Sequence, residues 1–387
     1  MKIADAPAAP CVPSSVQMSQ SRFTVSEKVL MRGSNVIGEA AVRAGCRFYA
    51  GYPITPQNEL PEYLSARMVE VGGTFIQGES EIASINMLIG ASAAGVRVMT
   101  SSSSPGIALK QEGISYMAGL ELPGVIVNMM RGGPGLGNIA PSAADYFQAT
   151  RGGGNGDYRT PVLAPAGCQE LAEMTFLAFD LADKYRNPVM ILGDGLMGQV
   201  MEPVEFPDFL EPDALPEKEW ALTGCEGREA RAIFSMYLGE QGELYHHNLQ
   251  LQEKYDRITA DEQRWETILT DDADLIVVAY GTAARIAESA IEEARAKGLA
   301  AGLFRPITLW PFPMAPLREL ASKGRKIAVF ELSLGQMVED VILSVGERVK
   351  IYFYGLPGGI IPTPAEVAEF LDSVSKGDGK VGRRIDV

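Results

Sequence analysis

Cysteine and histidine are scarce in this chain. Its 387 residues include four cysteines, Cys11, Cys46, Cys168 and Cys225, with no C-x-x-C pair among them. A zinc site or an iron–sulfur cluster built by this chain alone is therefore not expected, and the usage suits a reduced, cytoplasmic setting. The two histidines, His246 and His247, stand side by side in a polar stretch, which nearly excludes a histidine triad or a His-rich metal centre. Positive charge is short as well: 34 Lys and Arg face 49 Asp and Glu, a net charge of −15. Neither nucleic acid nor an anionic membrane favours such a surface. No apolar run reaches the length of a membrane span. Residues 1–24, rich in Ala, Pro, Ser and Gln, lack the apolar segment of a signal peptide and read as a flexible tail.

What is present is the make-up of a globular protein, 46% apolar and 21% charged, long enough for two or three domains with substantial cores. From about 25 to 201 short apolar strands alternate with helices. Strands are expected at Cys46–Tyr52, Thr74–Gln77, Val96–Thr100, Gly124–Met130 and Pro188–Leu192. Helices are expected at Gly38–Ala44, Glu81–Ala94 (apolar almost all round, hence buried), from about Ala108, and at Gln169–Lys184. This alternation implies an α/β domain with a mainly parallel sheet.

Residues 202–270 read as a linker. Pro and charge are frequent early, and Leu251, Tyr255, Ile258, Trp265 and Ile268 recur at helical spacing. A second α/β unit, 271–387, opens with the buried-strand run Leu275–Tyr280. A helix follows with Thr282 as its expected N-cap and Gly298 as its stop, then strands at 300–304, 326–331 and 349–354 and a helix at Leu334–Val345.

Five motifs could carry chemistry. Tyr52-Pro53-Ile54-Thr55-Pro56 follows a strand, where prolines would hold the Thr55 hydroxyl at the ligand-binding edge of the sheet; it could equally be a rigid turn capping the next helix. Glu79-Ser80-Glu81 starts an apolar helix, either as acids favoured by the helix N-terminus or as a carboxyl held in an apolar pocket. Ser101 to Gly106 is a small-residue loop that would let a ligand approach the backbone, or an ordinary turn. Arg131, at a strand end before Gly132-Gly133-Pro134-Gly135-Leu136-Gly137, could take a carboxylate bidentately or lie at the surface. Within that loop Gly135-x-Gly137-x-x-Ala140 imitates a dinucleotide fingerprint, but Pro141 interrupts the helix it requires. Gly193-Asp194-Gly195 resembles the start of a diphosphate–magnesium motif, but the next asparagine, Asn248, comes too late, and the segment reads as a strand-end turn.

Taken in order, YPITP (52–56), ESE (79–81), TSSSSPG (100–106), RGGPGLG (131–137), RPITLWPFP (305–313), GQMVEDV (335–341) and GLPGGIIPTP (355–364) resemble the α-type subunit of 2-oxoacid:ferredoxin oxidoreductases, from Leu30 to about Phe370. GYPITPQNE, MTSSSSPGI and MRGGPGLGN are most similar to the branched-chain, 2-oxoisovalerate (3-methyl-2-oxobutanoate) subfamily.

The resemblance implies a thiamine-diphosphate-binding parallel-sheet domain of the pyrimidine type, followed by an α/β domain like the transketolase C-terminal domain. It implies oxidative decarboxylation of a 2-oxoacid, with coenzyme A as acyl acceptor. A β-type subunit would hold the diphosphate and magnesium. γ-type and ferredoxin-like δ-type subunits would accompany it, with 4Fe–4S clusters on partners and ferredoxin as acceptor. Glu81 matches the glutamate that contacts N1′ of the aminopyrimidine, with Glu79 as its rival. Thr55 and Arg131 match residues at the substrate, Arg131 on its carboxylate. Tyr52, Pro53, Ile54 and Ser102–Ser104 fall where the family lines the cofactor cavity. Two other readings stay open: a nicotinamide-dependent dehydrogenase using the 135–140 glycines, and a non-catalytic subunit that only binds partners.

Overall fold

The computed structural model describes residues 28–210, 214–239, 241–346 and 349–377; the tail read at 1–24 lies outside them. The chain begins β1 (Val29–Arg32), α1 (Gly33–Arg43), β2 (Phe48–Gly51), α2 (Glu59–Glu70), β3 (Thr74–Gln77), α3 (Glu81–Ala93), β4 (Val98–Ser102), α4 (Ser104–Gly119) and β5 (Gly124–Met130). It continues with α5 (Tyr146–Arg151), β6 (Val162–Leu163), α6 (Cys168–Tyr185), β7 (Pro188–Asp194), α7 (Gly195–Gln199), β8 (Met201–Val204) and α8 (Glu243–Asp261). Then come β9 (Trp265–Ile268), β10 (Leu275–Val278), α9 (Gly281–Ala296), β11 (Ala301–Pro306), β12 (Thr308–Trp310), α10 (Met314–Ser322), β13 (Lys326–Glu331), α11 (Met337–Val345), β14 (Ile351–Gly355) and α12 (Pro364–Ser375).

These elements form an α/β fold with two main sheets. The larger has the order β12-β6-β7-β5-β4-β2-β3. Its strands run parallel except β12, which pairs antiparallel with β6. β4, β5 and β7 are buried along their whole length, as strands covered by helices on both faces must be. On one face α1, α2 and α6 bring Val36, Ile37, Leu60, Leu171 and Phe176 into a core. On the other, Ile85, Ile114 and Ile126 join a cluster that continues into Val277, Phe304 and Phe330 of the second sheet. That sheet has the order β14-β13-β10-β11-β9, with β9 antiparallel to β11.

Several elements depart from the sequence reading. Trp265 and Ile268 belong to β9, not to a helix; the helix ends at Asp261, and only Leu251, Tyr255 and Ile258 form its buried apolar face. Edge pairing against β11 overrides the helical spacing there. β12 comes from RPITLWPFP, inside the second unit, yet adds a strand to the first sheet. Tyr280, not Thr282, is the cap of α9, and Thr282 lies buried in its first turn. The stretch 101–106 is no loop: β4 ends at Ser102 and α4 begins at Ser104, because Pro105 presets the backbone of a helical first turn. Finally, α3 is not covered all round. Ile82 and Met87 are exposed, and Leu109 and Tyr116 on α4 extend the same apolar surface type.

The strand order places the site. From β2 the chain steps to β3 on one side, then returns to β4 on the other. The crevice beyond the carboxyl ends of β2 and β4 is a topological switch point, where open α/β sheets bind ligands.

Candidate active site

Three of the sequence motifs meet at that crevice. Ser102 ends β4, Ser103 is the N-cap position of α4, and Ser104 is its first residue. All three are buried, and among the described residues the Ser102 and Ser103 hydroxyls have no partner. Buried hydroxyls left so are uncommon.

Glu81 opens α3 immediately after Ser80, whose hydroxyl accepts the Ala83 N–H at 3.2 Å. The Glu81 side chain is 6% exposed, whereas Glu79 is exposed. Glu81 turns toward α4 at Gly106. A Cβ on Gly106 would lie 2.0 Å from Ser102 Oγ and 2.6 Å from Glu81 Oε1. Only glycine allows carboxyl, hydroxyl and helix to converge there. Gly106→Ala is therefore expected to displace one of them and to cost ~1–3 kcal/mol of stability, as overpacking does. A lowered thermal midpoint checks this; an unchanged one would contradict the close approach.

Arg131 follows β5 and is 6% exposed, not a surface residue. Its Nη1 donates to the Thr55 carbonyl at 2.9 Å and its Nη2 to the Leu136 carbonyl at 3.2 Å; among the described residues Nε has no partner. The guanidinium thus ties the β2–α2 loop to the 131–137 loop. The Arg131 backbone N–H donates to Ser104 Oγ at 3.0 Å. Ser104 in turn donates to Asp145 Oδ2 at 2.5 Å, which also receives Asn128 Nδ2 at 2.9 Å. Burial pushes the Asp145 carboxyl above the ordinary aspartate range. The Ser102–Gly106 turn therefore links Glu81 on one side to Arg131 and Thr55 on the other.

Thr55 is exposed and its hydroxyl accepts Asn58 Nδ2 at 3.5 Å. It does not cap α2, whose N-cap position is Asn58. Thr55 and Pro56 border a cleft of about 470 Å³ lined also by Ile139, Pro141 and Leu196. Tyr52 and Pro53 are exposed and Ile54 is half-buried. Asp194 sits at the end of β7 with its carboxylate accepting the Leu196 and Met197 N–H groups at 2.9 and 3.0 Å, the strand-end turn read from the sequence. Gly135 and Gly137 have positive φ in a loop that leads to no helix before Tyr146, so the dinucleotide fingerprint lacks its helix.

Sequence reasoning missed Gln57, Asp145 and Lys110. Buried Gln57 accepts the Ser101 hydroxyl at 2.5 Å, and Ser101 Oγ also meets Tyr49 OH at 2.7 Å. Gln57 stands in the quoted YPITPQNE run, but nothing in the run says that it turns inward. Asp145 lies in an irregular stretch with no periodicity to mark it.

Comparison with known proteins gives the family. Residues 39–261 match the family model for pyruvate flavodoxin/ferredoxin oxidoreductase, thiamine diphosphate-binding, and residues 273–367 match pyruvate:ferredoxin oxidoreductase core domain II. A ketoisovalerate oxidoreductase subunit VorB of Methanothermobacter thermautotrophicus is 50% identical over 82% of this chain and 90% of its own length. A 2-oxoglutarate synthase subunit KorA of Archaeoglobus fulgidus is 36% identical over 85% of this chain and 95% of its own. Among solved structures, the 2-oxoglutarate:ferredoxin oxidoreductase of Magnetococcus marinus, with 2-oxoglutarate, coenzyme A and succinyl-CoA bound, aligns with a TM-score of 0.77 at 25% identity. It covers 92% of this chain and 66% of that one. A split-gene transketolase aligns over 91% of this chain and all of its own at a TM-score of 0.54 and 14% identity, a likeness of fold. Among the described residues no helix is long and apolar enough to cross a membrane. The chain belongs to the 2-oxoacid:ferredoxin oxidoreductase family, as a subunit carrying that family's thiamine-diphosphate-binding domain.

Proposed function

We propose that this chain provides the aminopyrimidine contact and part of the oxoacid pocket in a complex that oxidatively decarboxylates 3-methyl-2-oxobutanoate. The products are an acyl-coenzyme A and carbon dioxide, and the electrons pass to ferredoxin. The observation that carries the reading is the Glu81 carboxyl, buried and without a hydrogen bond among the described residues, at the switch-point crevice beside unpartnered Ser102 and Ser103 hydroxyls. These groups fit thiamine diphosphate: a carboxyl for N1′ of its pyrimidine, hydroxyls for the cavity wall, and at Gly106 no side chain in the way. When bound, thiamine diphosphate supplies the carbon nucleophile and the electron sink for decarboxylation.

Glu81 shares a proton with N1′ and so governs the acidity of the 4′-amino group; no histidine is needed. Arg131 would take the oxoacid carboxylate with its guanidinium while holding Thr55 in place. The cleft by Thr55 suits a branched aliphatic side chain, because Ile139, Pro141 and Leu196 line it. Burial of Ser102–Ser104 keeps that wall of the site dry. Tyr52, Pro53 and Ile54 complete the cavity only against a second chain.

A β-type subunit would cover the exposed apolar side chains Ile82, Met87, Leu109 and Tyr116 on the two helices that carry Glu81 and Gly106. It would bring the diphosphate and magnesium site, since Asp194 here is held by its own helix. γ- and δ-type subunits with 4Fe–4S clusters would pass electrons to ferredoxin, all in the cytoplasm. The two-unit division, 25–201 and 271–387 joined by 202–270, belongs to the same proposal.

A panel of oxoacids with viologen as acceptor, run on the complex reconstituted with its partners, tests the substrate. The branched oxoacid should have the highest kcat/KM. Preference for pyruvate or 2-oxoglutarate would move the same chemistry to that substrate, and no turnover of any oxoacid would leave a partner-binding subunit. The chain alone should be inactive.

A further inference from the structure

A charged side chain lies buried in the seam between α3 and α4, outside the chemistry proposed for Glu81 and Arg131. Lys110 is wholly buried, and among the described residues its ammonium makes one hydrogen bond, to Thr100 Oγ1 at 2.8 Å. Thr100 donates its own hydroxyl proton to the Ala50 carbonyl at 2.6 Å, so it can serve the lysine only as an acceptor. An ammonium has three donors. Burying one on a single hydroxyl is costly unless a counter-charge lies close.

Helix geometry identifies that counter-charge. Gly106, Lys110 and Gly113 are spaced four and three apart on α4 and share one face. Gly106 touches Glu81: its added Cβ would be 2.6 Å from the carboxylate. Gly113 touches Ile85, where an added Cβ would be 2.5 Å from both Cγ atoms. Glu81 and Ile85 are themselves four apart on α3. Lys110 therefore projects from the α4 face that meets Glu81 at Gly106 and Ile85 at Gly113. Burial pushes its ammonium down to about 8, and the negative charge that works against this is Glu81.

We propose that Lys110 is a positioning residue for Glu81: anchored on Thr100, its ammonium lies behind the Glu81 carboxyl as a counter-charge, aims it at the crevice and so biases the shared proton toward the bound ring nitrogen. The inference rests on the reading of Glu81 as the aminopyrimidine contact. It adds that this carboxyl has a counter-charge behind it, one that touches neither cofactor nor substrate.

The test uses the assembled complex, first free of thiamine diphosphate. Infrared difference spectra across pH, with the Glu81→Gln complex subtracted, isolate the ionisation of Glu81. Lys110→Met, similar in length but uncharged, should raise its midpoint by roughly 1–3 pH units, the effect of losing an adjacent opposite charge. Thr100→Val, which keeps the charge but frees it from its anchor, should raise the midpoint less, and stands in if the methionine variant does not assemble. With thiamine diphosphate bound, exchange of the coenzyme's C2 proton should slow about tenfold in Lys110→Met, one pKa unit's worth. Unmoved midpoints in the variants that assemble would overturn the proposal even if exchange slowed. Wild-type exchange in Glu81→Gln would instead sink the reading of Glu81, and a shifted midpoint would still stand.

Discussion

Replacing Glu81 by Gln is expected to lower turnover of the reconstituted complex by ~10²–10⁴-fold, the range for removing a positioned proton-transfer group. Fold and assembly should survive. Glu81 is the first residue of α3, after the Ser80 cap, and its carboxyl bonds to no described neighbour, so an amide of the same shape leaves the helix start intact. Gln can still hydrogen-bond to a ring nitrogen, but it cannot share a proton with it. Thiamine diphosphate should therefore bind to near wild-type saturation while C2-proton exchange falls with turnover. Loss of binding alone, with normal exchange at saturation, would make Glu81 a contact without a role in proton transfer. Glu79→Gln is the control. Its side chain is exposed, and activity should change little.

Arg131→Ala should act differently. Removing a charged hydrogen-bond donor from a bound carboxylate costs ~1.5–3 kcal/mol, which is about 10- to 150-fold in kcat/KM, carried mainly by KM. Part of the loss has a second origin. The guanidinium also holds the Thr55 and Leu136 carbonyls, so its removal loosens both loops. Arg131→Lys separates the two effects. An ammonium keeps the charge but cannot hold two carbonyls and a carboxylate at once with the geometry of a planar fork. It should recover some KM and little of the loop order, the latter read as proteolytic sensitivity near 131–138. An unchanged KM for every oxoacid in Arg131→Ala would remove its proposed role.

Much of the fold was legible because strand and helix periods are local properties. The Val125–Met130 strand and the helix beginning at Glu81 stand where their residues put them. The errors came where a distant partner decides. Trp265 and Ile268 fit a helical spacing, yet β11 offers an open edge and takes them as a strand. Thr308–Trp310 reads as part of the second unit and pairs with β6 of the first sheet. The serines at 101–104 looked like a loop because small residues mark turns, but Pro105 makes them a strand end and a helix start. At the site, the pattern around Glu79 and Glu81 could not say which carboxyl turns inward. That depends on α4 presenting Gly106 to Glu81, a contact between separate helices. Lys110 and Asp145 were invisible for the same reason: each is an ordinary charged residue until tertiary packing buries it.

The most direct measurement is the structure of the assembled complex with thiamine diphosphate bound. The account predicts a Glu81 carboxylate oxygen within about 3.2 Å of N1′ of the pyrimidine, at hydrogen-bonding distance, with the ring over the Ser102–Gly106 turn. A pyrimidine ring bound elsewhere, or contacted at N1′ by another acid, would contradict it.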